Sequence, residues 1–249
     1  MRIDFIAPFL MLTSSLMADS YVNLSVTNAW SVHTALNGGA FYQEISDIGT
    51  SEGITVAYGN TLSNSLRSEI SYSYHGRFEV NSQTMYMDTN FNKGDAIGSY
   101  KGNVDSHNFM LSLYKDFNFN SSFGAYIGIG AGISRNRSDS IDATIIGEYF
   151  GTPAGNDLLS YQMPGETIYR FSKQIMIGAT YVITEAVSCN FGYKYLDAGD
   201  FGTQSGNVIA TALKEDGTNI STGNYIVAVP SSRGELKAHE ISIGISYHF

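Results

Sequence analysis

Leu236-Lys-Ala-His-Glu-Ile-Ser-Ile-Gly-Ile-Ser-Tyr-His-Phe249 alternates without a break. The odd positions His239, Ile241, Ile243, Ile245, Tyr247 and Phe249 are apolar or aromatic; the even positions Ala238, Glu240, Ser242, Gly244, Ser246 and His248 are small or polar. Successive side chains of a strand point to opposite faces, so this segment offers one face to lipid and the other to a crowded polar interior. A strand of this kind belongs to a transmembrane β-barrel.

Working outward from it, seven further segments repeat the pattern at the ~9–11 residues needed to cross a bilayer. They run from Tyr21 to Ser31, Gly53 to Asn60, Leu66 to His75, His107 to Phe117, Phe123 to Ser134, Phe171 to Ile183 and Val187 to Leu196. In the fifth, Gly124, Gly128, Gly130 and Gly132 share the face opposite Ile127, Ile129 and Ile133, leaving room in a narrow lumen for bulky side chains from other strands. Short turns follow the second, fourth and sixth strands, and long connections fill residues 32–52, 76–106, 135–170 and 197–235. Short periplasmic turns and long extracellular loops are the topology of outer-membrane barrels. The expected fold is therefore all-β, an antiparallel up-and-down transmembrane barrel of eight strands. Val208 to Leu213 and Tyr225 to Val229 flank a turn-forming stretch and read as a hairpin rising above the membrane; counted into the wall they would make ten strands.

Composition agrees. Mean hydropathy is close to zero, as expected when lipid-facing and lumen-facing residues cancel. All four prolines, Pro8, Pro153, Pro164 and Pro230, fall outside the strands, where a missing amide donor breaks no ladder. Of the 23 acidic and 14 basic residues, 17 and 8 lie in the long connections, so these carry the entire net charge of -9. Outward-facing aromatics sort by depth. Trp30, Tyr72, Tyr74, Phe109, Phe171, Tyr193 and Tyr195 would form an outer girdle, and Tyr58, Phe123, Tyr181, Tyr247 and Phe249 an inner one. Lys173 and Lys237 also face outward, near strand ends where their ammonium groups can reach water.

Residues 1–18 combine Arg2, an apolar run from Phe5 to Leu12 and a small-residue approach to Ala18; they read as a secretory signal, with the barrel domain occupying 19–249. The single cysteine, Cys189, permits no internal disulfide and sits at a lipid-facing position.

Two blocks resemble the opacity-type porin family, within the small outer-membrane barrels that include the membrane domain of outer membrane protein A. They are Gly192-Tyr-Lys-Tyr-Leu-Asp-Ala-Gly-Asp200 and the terminal segment from Leu236 to Phe249; Arg67-Ser-Glu69 is similar to a third recurrent element. The resemblance implies fold more than activity, since the family includes surface adhesins as well as proteins called porins. Phe249, with Tyr247 on the same face, resembles the carboxy-terminal signal read by the outer-membrane assembly machinery.

Strand parity places Arg67, Glu69, Lys194, Glu240 and His248 inside the barrel, where charges need partners, so an ion-pair network is expected there. Catalytic, cofactor and metal sites are not expected. Asp105-Ser106-His107 and His33 near the rim could be imagined as a hydrolytic grouping, but neither matches the His-x-Ser arrangement of lipid-modifying barrel esterases. Gly128-Ile-Gly130-Ala-Gly132 lies inside an alternating strand, without the helix a phosphate loop requires. The acidic Asp139, Asp142 and Glu148 fit no calcium-loop spacing. An isoelectric point near 4.9 argues against nucleic acid. The functional expectation is a non-enzymatic barrel whose loops serve adhesion, surface recognition or envelope integrity; the alternatives are a narrow channel for water, ions or small solutes and, more remotely, a lipid-modifying enzyme. Its partners would be outer-membrane lipids, the assembly machinery and a host or surface ligand at the loops.

Overall fold

The computed structural model describes residues 20–32, 34–38, 41–45, 48–63, 65–86, 96–147, 157–214 and 225–249. Fourteen strands follow in chain order: β1 (Ser20–Ser31), β2 (Thr34–Gly38), β3 (Phe41–Ile45), β4 (Thr50–Ser63), β5 (Leu66–Tyr86), β6 (Ala96–Asn118), β7 (Phe123–Ser138), β8 (Ile141–Gly147), β9 (Asp157–Met163), β10 (Thr167–Thr184), β11 (Val187–Thr203), β12 (Gly206–Lys214), β13 (Tyr225–Val229) and β14 (Ser232–His248). Eight of them, β1, β4, β5, β6, β7, β10, β11 and β14, pair antiparallel in that order around a ring. The ring closes between β1 and β14, from Tyr21↔His248 to Ser31↔Ala238, and the Phe249 amide donates to the Ser20 carbonyl at 2.9 Å. Closure leaves no sheet edge at membrane depth, the condition for a strand-built wall in hydrocarbon.

The wall is inverted relative to a soluble protein. Leu24, Leu111, Ile129, Phe171, Ile175 and Ile245 are each 58–70% exposed on the outside, whereas serines and asparagines such as Ser106, Asn108, Ser134 and Asn136 are buried inside. Alternation alone produces this sorting. Each aromatic expected in the two girdles takes the outward parity, and Cys189 does so as well. Residues 1–18, together with His33, Pro153 and Glu148, lie outside the described residues.

The long connections differ from the expectation of irregular loops. β5 and β6 run 21 and 23 residues, about twice what a bilayer requires, and remain paired to Tyr86↔Ala96. β2 pairs with β3, and β8 with β9, where the sequence pattern predicts loop. β12 and β13 form the hairpin expected from the sequence, and β12 also pairs with β9, so the sheet order beyond the ring reads β13-β12-β9-β8-β6. None of these strands enters the ring, which holds eight. The physical reason is burial: Tyr100, Ile141, Ala143 and Met163 form a small core between β6 and the β8–β9 hairpin, so the extramembrane strands have apolar surface to cover.

Candidate functional site

Three layers of side chains fill the ring from the periplasmic turns outward. The lowest centres on Arg67 at the start of β5. Its Nε donates to Asp116 Oδ1 and Oδ2 at 3.0 and 3.1 Å, and Nη1 donates to the Tyr21 hydroxyl at 2.6 Å and lies 3.9 Å from Glu69 Oε2. Tyr21 in turn donates to Glu69 Oε2 at 2.8 Å, and Tyr114 donates to Glu69 Oε1 at 3.0 Å. The guanidinium lies over the rings of Tyr114, Tyr126 and Tyr21, at 4.1, 4.8 and 5.6 Å from their centroids. A planar cation that stacks and forks is suited to such a cage. Each tyrosine sits where a glycine faces it. A Cβ on Gly128 would come 2.5 Å from Tyr114, one on Gly192 would come 2.8 Å from the Tyr126 hydroxyl, and one on Gly59 would overlap the Tyr21 ring.

A polar layer lies above. Lys194 Nζ is 2.8 Å, and His75 Nε2 3.1 Å, from Glu240 Oε2, with Glu240 and His75 both 1% exposed. Asn108 Oδ1 accepts from Ser134 at 2.5 Å, and its Nδ2 donates to Ser106 Oγ at 3.2 Å and lies 3.3 Å from His75 Nδ1. Lys194 is the nearest cation to the carboxylate. Asn136 continues the layer, donating to the carbonyls of Ala198 and Asp200 at 2.8 and 3.0 Å. Between the two layers lies a polar chamber of about 80 Å³, lined by Ser71, Ser73, Gln174 and Asn190 among others.

The third layer is apolar. Ile48, Phe78, Val80, Val104, Phe201 and Leu236, with Ala29, Leu196, Ala198 and Ala238, form one buried cluster beyond the triad, where the strands leave the expected membrane span. Sequence reasoning missed it because Ile48, Phe78, Val80, Val104, Ala198 and Phe201 lie past the strand ends assigned there, although Phe78-Glu-Val80 already alternates.

The five lumen residues read from the sequence are thus divided. Arg67 and Glu69 share the lower cage, and Lys194 and Glu240 form the upper pair. His248 lies at the inner end, sharing a 3.0 Å hydrogen bond with Ser188 and placing its ring 5.4 Å from that of Tyr21. Tyr21, His75 and Asp116, whose partners strand parity alone does not reveal, complete these groups.

Other sequence candidates separate. Ser106 points inward and donates to Asn136 at 2.7 Å, while its neighbours Asp105 and His107 take the outward parity, so alternation disperses the imagined hydrolytic grouping. His107 instead meets the Tyr72 hydroxyl at 2.7 Å, and His239 meets that of Tyr193 at 2.6 Å. Trp30 stacks on His239 with centroids 5.8 Å apart. Asp139 stands 3.9 Å from Arg137, and Asp142 accepts from Gln162 at 3.0 Å. At the rim Arg170 pairs with Asp200 at 2.8 Å, Arg233 with Glu166, Lys173 with Asp197 at 3.5 Å and Lys237 with Glu235.

A closed eight-stranded ring, apolar outside and polar within, is the architecture of a small outer-membrane barrel, and a family comparison agrees. The family model of the outer membrane protein beta-barrel domain matches residues 7–249. The chain belongs to this family. Its place is the bacterial outer membrane, in keeping with the resemblance carried by β11 and β14. No curated protein sequence matches the chain. Among solved structures it is similar to Neisserial surface protein A, with 13% identity and a TM-score of 0.44 over 92% of this chain and 97% of the other. It is similar also to the outer membrane protein OprG from Pseudomonas aeruginosa, with 10% identity and a TM-score of 0.46 over 93% and 96%. A third is Ail, the attachment invasion locus protein of Yersinia pestis, in complex with the heparin analogue sucrose octasulfate, with 10% identity and a TM-score of 0.38 over 92% and 99%.

Proposed function

We propose that this outer-membrane barrel is a non-enzymatic scaffold whose lumen does not conduct and whose extramembrane sheet performs surface recognition. The observation that carries the reading is the filling of the lumen at three levels, the outermost a buried apolar cluster. Narrow barrels of about eight strands are ordinarily filled by side chains. The strands beyond the ring supply the remaining accessible surface. Connections this long are uncommon without a purpose, and here they are organised as paired strands with a small core of their own.

Residues 1–18 serve in this reading as the secretory signal, and Tyr247 and Phe249, 57% and 66% exposed on the last strand, as the feature read by the assembly machinery. Removing Phe249 is expected to lower the amount of barrel assembled in cells while leaving refolding into detergent intact. Equal assembly in cells would remove this role.

The second reading is a narrow channel, favoured by the polar chamber between Arg67 and Glu240. One experiment separates the two. The refolded chain, checked for folding by heat-dependent gel mobility, is inserted in planar bilayers. Silence supports the scaffold; reproducible ion-selective steps support the channel. In parallel, cells bearing the wild-type chain or one lacking residues 206–229 are tested on immobilised glycans and matrix proteins, and retention of both to the same extent would count against recognition by the β12–β13 hairpin.

A further inference from the structure

We propose that the outer wall at β7 carries a binding site for the phosphate group of an outer-leaflet lipid, formed by Arg135 and Arg137. Asn136 between them is fully buried and bonded inward to the Ala198 carbonyl, so both arginines take the outward parity. Arg135 lies in register with His107 on β6 and Tyr169 on β10. The next outward row toward the periplasm, Phe109, Ile133 and Phe171, is apolar and 55–70% exposed. The guanidinium groups therefore stand where the lipid-facing band gives way to water, the depth of lipid headgroups.

Charge complementarity singles this place out. Among the described residues no carboxylate lies within ion-pair distance of Arg135. Arg137 reaches Asp139 only at 3.9 Å, with both side chains about half exposed, a contact too weak to hold it. Asp105, opposite Arg137 in register, has its Oδ1 engaged by the Arg77 amide at 3.0 Å. Two other outward cations, Lys173 and Lys237, each have a carboxylate beside them, Asp197 and Glu235, and Lys115 near the periplasmic turn donates to the Ser65 hydroxyl at 2.6 Å. Across the ring, β4 presents Glu52 outward instead. Two arginines two residues apart on one strand lie roughly 7 Å apart at their Cα atoms, close enough for both forks to reach one phosphate. Tyr169, 63% exposed, and Phe171 flank them and offer apolar surface to the sugar or acyl portion of the lipid.

The test titrates the refolded full chain in detergent with bisphosphorylated lipid A, with its dephosphorylated form and with inorganic phosphate, reading bound lipid by native mass spectrometry. Phosphorylated lipid A is expected to bind about tenfold or more tightly than the dephosphorylated form, and R135Q/R137Q to lose that preference. K173Q/K237Q, as the control, is expected to keep it. Should R135Q/R137Q fail to regain the heat-dependent gel shift, R135K/R137K takes its place, with a partial loss expected from losing the fork geometry while keeping charge. Equal binding of the two lipid forms, an unchanged preference in the arginine variants or an equal loss in K173Q/K237Q would overturn the proposal. So would inorganic phosphate displacing the lipid at comparable concentration, because the site would then be one for free phosphate.

Discussion

Glu240→Ala is the sharpest test of how the lumen is held together. The carboxylate is 1% exposed and lies 2.8 Å from Lys194, itself 15% exposed, with His75 3.1 Å away on its other side. Removing the carboxylate leaves a largely buried ammonium without its partner, and breaking a buried pair from one side costs about 3–5 kcal/mol. Removing both charges in K194M/E240A leaves no orphan, so the double variant should lie within about 2 kcal/mol of wild type, well short of the sum of the two single losses. The assay is equilibrium urea unfolding in phospholipid vesicles, followed by the single tryptophan, Trp30, which stacks on His239 beside the β1–β14 seam. A loss under about 1 kcal/mol for Glu240→Ala, or additive single effects, would refute the pairing argument. The same variant in planar bilayers should remain silent, because Phe78, Phe201 and Leu236 still close the ring above the lost carboxylate.

Three further outcomes follow from the geometry. Gly128→Val should cost about 1–3 kcal/mol by driving Tyr114 off the Arg67 guanidinium, read as a lower urea midpoint. Ile129→Lys, at a position 64% exposed in mid-strand, should cost about 2–4 kcal/mol in a bilayer, while Ile209→Lys, 62% exposed on the extramembrane β12, should change stability by less than about 0.5 kcal/mol; equal costs would mean that one of the two faces is misassigned. Phe201→Ala should cost about 3–5 kcal/mol and is the substitution best placed to loosen the outer layer, checked by urea unfolding together with conductance.

The wall was legible because lipid imposes a period of two on every strand. Ile241, Ile243 and Ile245 announce it, and the short turns fix its phase. Beyond the membrane that constraint lapses. Ile141-Asp-Ala-Thr-Ile-Ile146 and Thr34-Ala-Leu-Asn37 pair as strands without needing an unbroken apolar face, so they read as loop. Lumen parity was legible for the same reason as the wall, but partners were not. Which inward charges meet depends on the stagger between strands. Glu240 lies opposite Lys194 in register, whereas Arg67 lies opposite Tyr114 and reaches Asp116, two residues beyond its own register partner. His75 faced inward at the end of its assigned strand, and only the extension of β5 to Tyr86 puts it in mid-wall beside Glu240.

The seam between β1 and β14 joins positions as far apart in the chain as Asn23 and Ser246, 223 residues, linked side chain to side chain at 3.0 Å. Until β14 docks, β1 has one flank without a partner, and no shorter stretch of chain can satisfy it. The entropy of bringing such distant segments together must be met before the contacts that reward it exist, which makes ring closure a late and slow event. An incomplete chain would expose two ladders of unpaired amides and carbonyls, inviting association with its neighbours. The barrel is therefore a structure that forms after synthesis and transport rather than during them, and its last strand sets the time at which the other seven become secure.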